Sequence, residues 1–465
     1  MNQSEYSGEV AEVMMDVAGK HTAVIGAARS GVAVAQLLKE HGAIVFISDS
    51  GSREKLASHI THLESLGIEI EVGGHTDHVL ETDMMVISPG VPVNIPILRE
   101  ARRRNIPVIS ELELASRFCP APMVVVTGTN GKTTTTTLIG RMFHDAKKKY
   151  VVAGNIGTAF SSVVGELDNR SIAVLEVSSF QLDDIDTFHP YVSIILNITP
   201  DHLDRYDHSF EKYAASKSRI FENQTKDDIL IYNNDDEKTR EQVHRYADAH
   251  VRTVGFGITQ QFDEGAFVED KKLVTLIDGK RTTIIDTDQI SIRGQHNLYN
   301  AMAATLAGQI MGVSVPSLRA ILRNFKGVEH RLEFVREVNG VKYVNDSKAT
   351  NVDSVWYALQ SFTEPIVLLL GGRDKGNDYS KLDALVERYV KAIVAIGESA
   401  EKVYAAFSGK KNVVRAGSME EAIAKATALA VSGDVVLLSP ACASFDWFEN
   451  YEHRGKVFKY IVNAL

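Results

Sequence analysis

Cysteine is nearly absent: the 465 residues include only Cys119 and Cys442, far apart in the chain. A disulfide framework is thereby excluded, and a reducing compartment such as the cytoplasm is the simplest setting. Long apolar runs are also missing. None reaches the ~18 residues that a membrane-spanning helix needs. The opening stretch "MNQSEYSGEVAEVMMDV" carries acids where a secretory leader would carry positive charge. Positive charge is in deficit overall, with 50 Lys and Arg against 60 Asp and Glu, a net of −10. That balance argues against nucleic acid as the main partner and still allows a local basic site for an anionic ligand. There is no internal repeat at solenoid spacing, and no low-complexity segment beyond one run of threonines. What is present, 44% hydrophobic and 24% charged residues, describes a soluble globular protein too long for a single core.

Short β-branched runs alternate with helix-like stretches along the whole chain. Residues 1–119 hold "HTAVIGAARSG", "AIVFISD", "IEIEVGG", "DMMVISPG" and "IPVIS". Such alternation predicts a parallel sheet covered by helices. The prolines of "FCPAPM" interrupt it and mark a linker. A second block, 120–327, holds "MVVVTG", "AVLEVSS", "VSIILNIT", "DILIYNN" and a strand-rich stretch at about 251–293. It closes on "NLYNAMAATLAGQIMG", which is apolar at helical spacing. The rhythm resumes over 328–465 with "VKYVNDS", "PIVLLLGG", "KAIVAIG", "NVVRAG" and "DVVLLSPA". The expectation is three α/β domains: a Rossmann-like N-terminal domain, a central P-loop ATPase-like domain and a Rossmann-like C-terminal domain.

The strongest local signal is "VVVTGTNGKTTTTTLIG", a β-branched strand, a glycine loop and a helix start. This is the context of a phosphate-binding loop, in which backbone N–H groups and a helix N-terminus close on phosphate oxygens. Lys132 would reach the β- and γ-phosphates, and the Thr133 hydroxyl would ligate Mg²⁺. The usual first glycine of the motif is replaced by Val126, so the loop is shorter and Gly128 leads it, followed by Thr129, Asn130, Gly131 and Thr134. A plain Gly-rich turn explains the five threonines badly, because threonine is a poor interior helix residue.

Two further residues sit where strands end. Glu176 closes "AVLE", and a buried carboxylate needs a cation. His202 lies in "NITPDHLDRY" between Asp201 and Asp204. Taken alone, His202 suits a packed or solvated histidine better. Together with Thr133, the pair could hold Mg²⁺ along one sheet edge. The first block offers the strand–turn–helix "AVIGAARSGVAVAQLL", with Gly26 and Gly31 but without the full dinucleotide fingerprint. Asn297 and Asn300 share a helix face in "HNLYN".

The ordered set "TGTNGKTT", "LEVSSFQL", "NITPDHLDRY", "YAASKSRIF", "GQHNLYNAMAA", "EHRLE", "NDSKATN" and "LLSPACASFDWFENYEHRG" resembles the Mur ligases, ATP-dependent amide-forming enzymes of peptidoglycan precursor synthesis. The likeness spans essentially the whole chain. "NDSKATN" and "SPACASFDWFENYEHRG" are similar to the branch that adds D-glutamate, and the "YAH"-type motif of the diaminopimelate or lysine adders is missing. Folylpolyglutamate synthases share the phosphate loop, "EVSS" and "HRLE", and remain the runner-up; they have no need of a uridine-binding first domain. An oxidoreductase on the first domain and a non-catalytic nucleotide-sugar binder are more distant rivals.

The resemblance implies ATP as co-substrate, UDP-N-acetylmuramoyl-L-alanine and D-glutamate as substrates, and an acyl phosphate between them. It assigns Lys132 to the γ-phosphate, and Thr133 and Glu176 to one Mg²⁺. Glu176 and His202 take a second, with Lys217 of "YAASKSRIF" as a carbamate derived from CO₂. Asn297 and Asn300 would lie near adenine, Arg331 and Asp346 near phosphates and ribose, and Lys348 at the acyl phosphate. By the same resemblance the ATP site is completed when the third domain closes. Arg29, Ser30 and Gly31 would face the diphosphate, Asp49 the uracil, and Ser88 and Gly90 the same cleft. Asn155, Ser178 and Gln181 would meet the sugar and its lactyl-alanine arm. Thr350, Lys375, Ser444, Phe445 and Tyr451 are the D-glutamate candidates, with Arg373 close in register to Lys375. One departure falls in the first block, where Gly51 stands in place of an arginine frequent in the family and Arg53 is the nearest substitute.

Overall fold

The computed structural model describes residues 15–247, 251–374 and 376–465. The acidic opening stretch up to residue 14 and the D-glutamate candidate Lys375 lie outside the described residues. Among the described residues, three sheets account for the strands. The first joins β1 His21–Ile25, β2 Ile44–Asp49, β3 Glu69–Val72, β4 Met84–Ile87 and β5 Val108–Ser110 in the order β3-β2-β1-β4-β5. Every pairing in it is parallel. The order reverses between β1 and β4, and such a switch point opens a crevice at the carboxyl ends of the strands.

The second sheet holds β6 Met123–Thr127, β7 Lys149–Gly154, β8 Ser171–Glu176, β9 Val192–Ile195, β10 Ile229–Asn233, β11 Arg252–Phe256, β12 Gly265–Glu269, β13 Lys272–Ile277 and β14 Lys280–Asp286. Its order is β14-β13-β12-β11-β10-β9-β6-β8-β7. The run from β7 to β12 is parallel, and β13 and β14 extend it as an antiparallel meander. β6 is thus flanked by β8 and β9, so the segments leaving all three strands share one edge. The third sheet contains β15 Glu333–Val338, β16 Val341–Asn345, β17 Ile366–Gly371, β18 Val390–Ile396, β19 Asn412–Arg415 and β20 Val435–Leu438, ordered β15-β16-β20-β17-β18-β19. Only β15 runs antiparallel to its neighbour. The expected α/β class, with parallel-rich sheets in each block, is what the chain adopts.

Two compact units result, Met1–Asp286 with Ala301–Ile321, and Thr287–Asn300 with Leu322–Leu465. The first carries two sheets because one core runs through both, from Val24 and Leu38 through Leu114 and Phe118 to Phe160, Leu175 and Phe188. A buried carboxylate reinforces that junction. Glu113 accepts from the backbone N–H groups of Asp186, Thr187 and Phe188 at 2.9–3.0 Å and from Arg117 Nε at 2.6 Å. A carboxylate with that many donors stays ionised and fixes the chain that reaches it. In the second unit the sheet is covered on both faces, by one cluster around Val355, Leu370 and Phe407 and another around Val394, Ile423 and Phe458. Among the described residues no helix is long and apolar enough to cross a membrane.

Candidate active site

The phosphate loop leaves the carboxyl end of β6 and enters the helix Lys132–Asp145. Val126 is not a loop residue. It lies in β6, opposite Glu176 on one side and Ile194 on the other, so the strand continues through the position where the longer motif would start its loop. Gly128 has φ 148°, and a Cβ there would press on Leu196 and the Asn197 backbone at 3.1–3.3 Å. Asn197, just past β9, locks the loop: its Oδ1 accepts from Asn130 N–H at 2.8 Å and its Nδ2 donates to Asn130 O at 2.9 Å. Thr129 N–H donates to Asn197 O at 2.9 Å, and Thr129 Oγ1 donates to Thr199 O at 3.0 Å. Thr133 and Thr134 are buried on the first helical turn. Lys132 Nζ bends back to Gly128 O at 2.8 Å and Thr129 O at 2.9 Å.

Glu176 ends β8 at 3% exposure. Its Oε1 accepts from Asn155 Nδ2 at 2.9 Å, while its buried Oε2 has no hydrogen-bond partner among the described residues. An unpaired oxygen on a buried carboxylate is costly unless a cation meets it, so this residue fits a magnesium ligand. His202 adopts a left-handed backbone at φ 51°. Its N–H donates to Asp201 Oδ1 at 2.9 Å, and its ring meets the Phe180 edge with centroids 5.1 Å apart. A non-glycine residue in that region stores strain that the surroundings must hold. Arg205, three residues on, stacks over Phe180 at 4.0 Å and donates to Val91 O at 2.8 Å.

Lys217 is the unusual cation. It lies on the helix Phe210–Ser218 at 2% exposure. Nζ donates to Gly128 O at 3.0 Å and sits 4.8 Å from the Tyr213 ring centroid. Burial, reinforced by the charge of Lys132, holds its pKa well below the ordinary lysine range. Burial that disfavours the charged form makes this amine a better nucleophile than an ordinary solvated helix lysine.

Around the first sheet, Arg29, Ser30 and Gly31 begin the helix Arg29–Glu40 after β1. Gly31 is obligatory: a Cβ there would fall 1.7 Å from Gly26 O and 2.9 Å from Ser88 Oγ. Ser88 Oγ donates to Gly26 O at 3.2 Å, and Gly90 is exposed beyond it. Asp49 spends both carboxylate oxygens on backbone, accepting from Ala27 N–H and Gly51 N–H at 2.6 Å each. A side chain at Gly51 would meet Asp49 Oδ1 at 2.9 Å, which accounts for the glycine. Arg53 is exposed and faces Glu64 at 3.8 Å. Ser178 and Gln181 cap the short helix Ser179–Leu182, with Ser178 N–H and Oγ–H both donating to Gln181 Oε1 at 3.1 Å.

The second unit gathers the other candidates by itself. Asn297 and Asn300 are 6% and 3% exposed, not a solvated face, and Asn300 Nδ2 donates to Asn297 Oδ1 at 3.1 Å. Asp346 follows β16 and accepts from Leu332 N–H at 3.2 Å and Ser439 Oγ at 2.8 Å. Burial pushes its carboxyl up to about 6 against the pull of Arg331. Lys348 Nζ lies 5.2 Å from the Tyr451 ring centroid. Thr350 N–H donates to Lys348 O at 2.9 Å; Ser444 is buried and Phe445 is 60% exposed. Arg373 is in an ion pair with Glu398 at 2.9 Å.

Sequence reasoning missed Arg454, which joins two of those motifs. At 1% exposure its guanidinium donates to Ser347 O at 2.7 Å, Ser347 Oγ at 2.9 Å and Cys442 O at 3.1 Å. Burial lowers its pKa to about 10. "NDSKATN" and "SPACAS" are therefore tied through one cation, and the "HRG" that supplies it was already visible as part of the motif.

Parallel α/β sheets with a shortened phosphate loop between β6 and its helix define a class, the nucleotide-binding α/β proteins. Family models match as the Mur ligase MurD-like N-terminal domain over residues 20–110, the Mur ligase middle domain over 126–308 and the Mur ligase glutamate ligase domain over 330–442. A Salinibacter ruber protein named UDP-N-acetylmuramoylalanine–D-glutamate ligase is 48% identical over 95% of this chain and 97% of its own length. One of the same name from Chloroherpeton thalassium is 46% identical over 97% and 99%. Among solved structures, the UDP-N-acetylmuramate–alanine ligase of Thermotoga maritima shares the fold at TM-score 0.59 and 20% identity, covering 96% of this chain and 99% of that one. The chain belongs to the Mur ligase family.

Proposed function

We infer that this chain joins D-glutamate to UDP-N-acetylmuramoyl-L-alanine, using ATP, in peptidoglycan precursor synthesis. The observation that carries the reading is full-length similarity to D-glutamate ligases on a chain whose locked phosphate loop adjoins a buried carboxylate with an unpaired oxygen. The domains divide as 1–119 for the nucleotide sugar, 120–327 for ATP and 328–465 for the incoming amino acid. The reducing cytoplasm is the setting that suits the free cysteines.

A carboxylate is a poor electrophile. Its oxygen attacks the γ-phosphorus, the bond to ADP breaks, and the resulting acyl phosphate carries a good leaving group. The D-glutamate amine then adds to the acyl carbon, loses a proton, and phosphate departs with its electron pair. Lys132 and the loop N–H groups from Gly128 to Thr134, apart from those of Thr129 and Asn130 that Asn197 takes, grip the transferring phosphoryl. Thr133, Glu176, His202 and a carbamylated Lys217 would hold Mg²⁺, as two ions by family resemblance, and bound there it would supply positive charge against the repulsion between phosphate and carboxylate oxygens. Lys217 gains its carbamate when the neutral amine forms an N–C bond to CO₂ and releases a proton. One N–H remains for Gly128 O. Arg29, Ser30, Gly31, Asp49, Ser88, Gly90, Asn155, Ser178 and Gln181 hold the nucleotide sugar. Asn297, Asn300, Arg331 and Asp346 serve ATP, and Lys348 the acyl phosphate. Thr350, Lys375, Ser444, Phe445 and Tyr451 receive D-glutamate.

The test is a panel of amino acids with the nucleotide sugar and ATP, reading phosphate release. D-glutamate alone is expected to turn over well. D-alanine leaves donors unpaired at about 1–3 kcal/mol each, and L-glutamate aims its amine elsewhere once both carboxylates are held. Ser444→Ala is expected to raise the KM for D-glutamate far more than that for the nucleotide sugar. Faster turnover of L-lysine, meso-diaminopimelate or L-glutamate would move the chain to another branch.

A further inference from the structure

Phe180 lies between Ser178 and Gln181 and has no polar atom to offer a ligand. It is half-buried at the border of the first unit's core. Its ring meets three residues of "DHLDRY". The His202 ring stands on it edgewise, with centroids 5.1 Å apart and planes at 74°. Tyr206 lies nearly parallel to it, at 6.1 Å and 21°. The Arg205 guanidinium sits 4.0 Å from its centroid, a cation–π distance.

The turn that carries these three residues closes on itself. Arg205 N–H donates to His202 O at 3.0 Å, and His208 N–H to Leu203 O at 2.8 Å. Both of its ends are left-handed, His202 at φ 51° and Asp207 at φ 53°. Those bonds shape the turn, and side chains reaching out of it set where it lies. The Tyr206 hydroxyl donates to Asp183 Oδ2 at 3.0 Å, and Arg205 donates to Val91 O at 2.8 Å. Both anchors hold the far end. At the near end the His202 side chain is 41% exposed, and Asp201 Oδ2 lies 3.7 Å from its Nε2, too long for a hydrogen bond. The Phe180 edge is the packed surface on which the imidazole rests.

We propose that Phe180 is a positioning residue for His202, its ring setting the direction of the imidazole and so the affinity of the site for a divalent cation. The proposal rests on the reading of His202 as a magnesium ligand and deepens it. Arg205 and Tyr206 hold the same ring, so one phenyl group ties the imidazole to the anchors at Asp183 and Val91. Groups that orient a metal's ligand govern how well that ligand binds.

Mn²⁺ binding to the full chain decides it, read from the electron paramagnetic resonance of the free ion. The titration is run in bicarbonate with UDP-N-acetylmuramoyl-L-alanine present and ATP left out, so nothing turns over. Phe180→Leu removes the ring and is expected to weaken Mn²⁺ binding about tenfold, the lower scale for losing a group that orients a metal's ligand. Phe180→Tyr keeps the ring and should stay within about threefold of the native chain. His202→Ala should weaken binding more than Phe180→Leu does. Phe180→Leu added to His202→Ala should then change the affinity by less than about twofold, because the ring acts through the imidazole. Thermal unfolding is followed in parallel. If Phe180→Leu does not fold, Phe180→Met, which fills the gap without a ring, takes its place. Native Mn²⁺ affinity in the ringless variant overturns the proposal. So does Phe180→Tyr binding as weakly as that variant, or an equal loss with and without His202. His202→Ala separates the two layers: if it leaves the Mn²⁺ affinity unchanged, the ligand reading fails whatever Phe180 does.

Discussion

Lys132→Ala is expected to remove phosphate release, by about 10²–10³ in rate at the scale of losing one charged donor to a transferring phosphoryl group, in a chain that still folds. The structure says why the two readouts separate. Lys132 Nζ rests on the carbonyls of Gly128 and Thr129, so it contributes two bonds to the loop. Asn197 and Thr129 hold the same loop through four others, to Asn130 N–H, Asn130 O, Asn197 O and Thr199 O. The loop should therefore keep its shape without the lysine. Stopped assays of phosphate with circular dichroism on the same samples would check this. Near-native turnover in Lys132→Ala would remove the loop from the chemistry.

Lys217 carries the second large effect. With its pKa held well below the ordinary lysine range by burial and by Lys132, the amine is set toward the neutral form that CO₂ requires. Activity is expected to fall when buffers are stripped of CO₂ and to return with bicarbonate. Lys217→Ala should lose at least about 10²-fold, the upper scale for groups that orient a metal's ligands. Lys217→Glu, which restores an anion without its reach, should regain a small part. Mass on the intact residue is the direct reading. A fully active enzyme whose Lys217 carries no added carboxyl would end the carbamate account, and a CO₂-independent rate would do the same.

Much of this was legible from local pattern. The phosphate loop announced itself because strand, glycines, lysine and helix are contiguous, and Glu176 because its strand is apolar up to the carboxylate. The strand–helix rhythm located most strands in all three sheets, although β7 and β15, with lysine, tyrosine and glutamate among their residues, escaped it. What was illegible is long-range. Nothing near Asn197 says that its amide will grip Asn130 across two strands. Arg454 looked like one letter of a motif, yet it binds carbonyls from two loops. Asn297 and Asn300 shared a helix face as expected, but that face is buried and the pair bond each other. Gly51, a departure from the family, became intelligible only when the Asp49 carboxylate was seen beside it. The buried Glu111 carboxyl is met by Ser161, 50 residues away, which no spacing reveals.

The most direct test of the central claim follows an oxygen atom. UDP-N-acetylmuramoyl-L-alanine labelled with ¹⁸O in its alanine carboxylate is turned over with ATP and D-glutamate, and the released phosphate is weighed by mass spectrometry. If this chain activates that carboxylate as an acyl phosphate for attack by D-glutamate, each phosphate carries one ¹⁸O, and none is released without the nucleotide sugar. Unlabelled phosphate, or labelled phosphate formed equally well with other amino acids, would contradict the account.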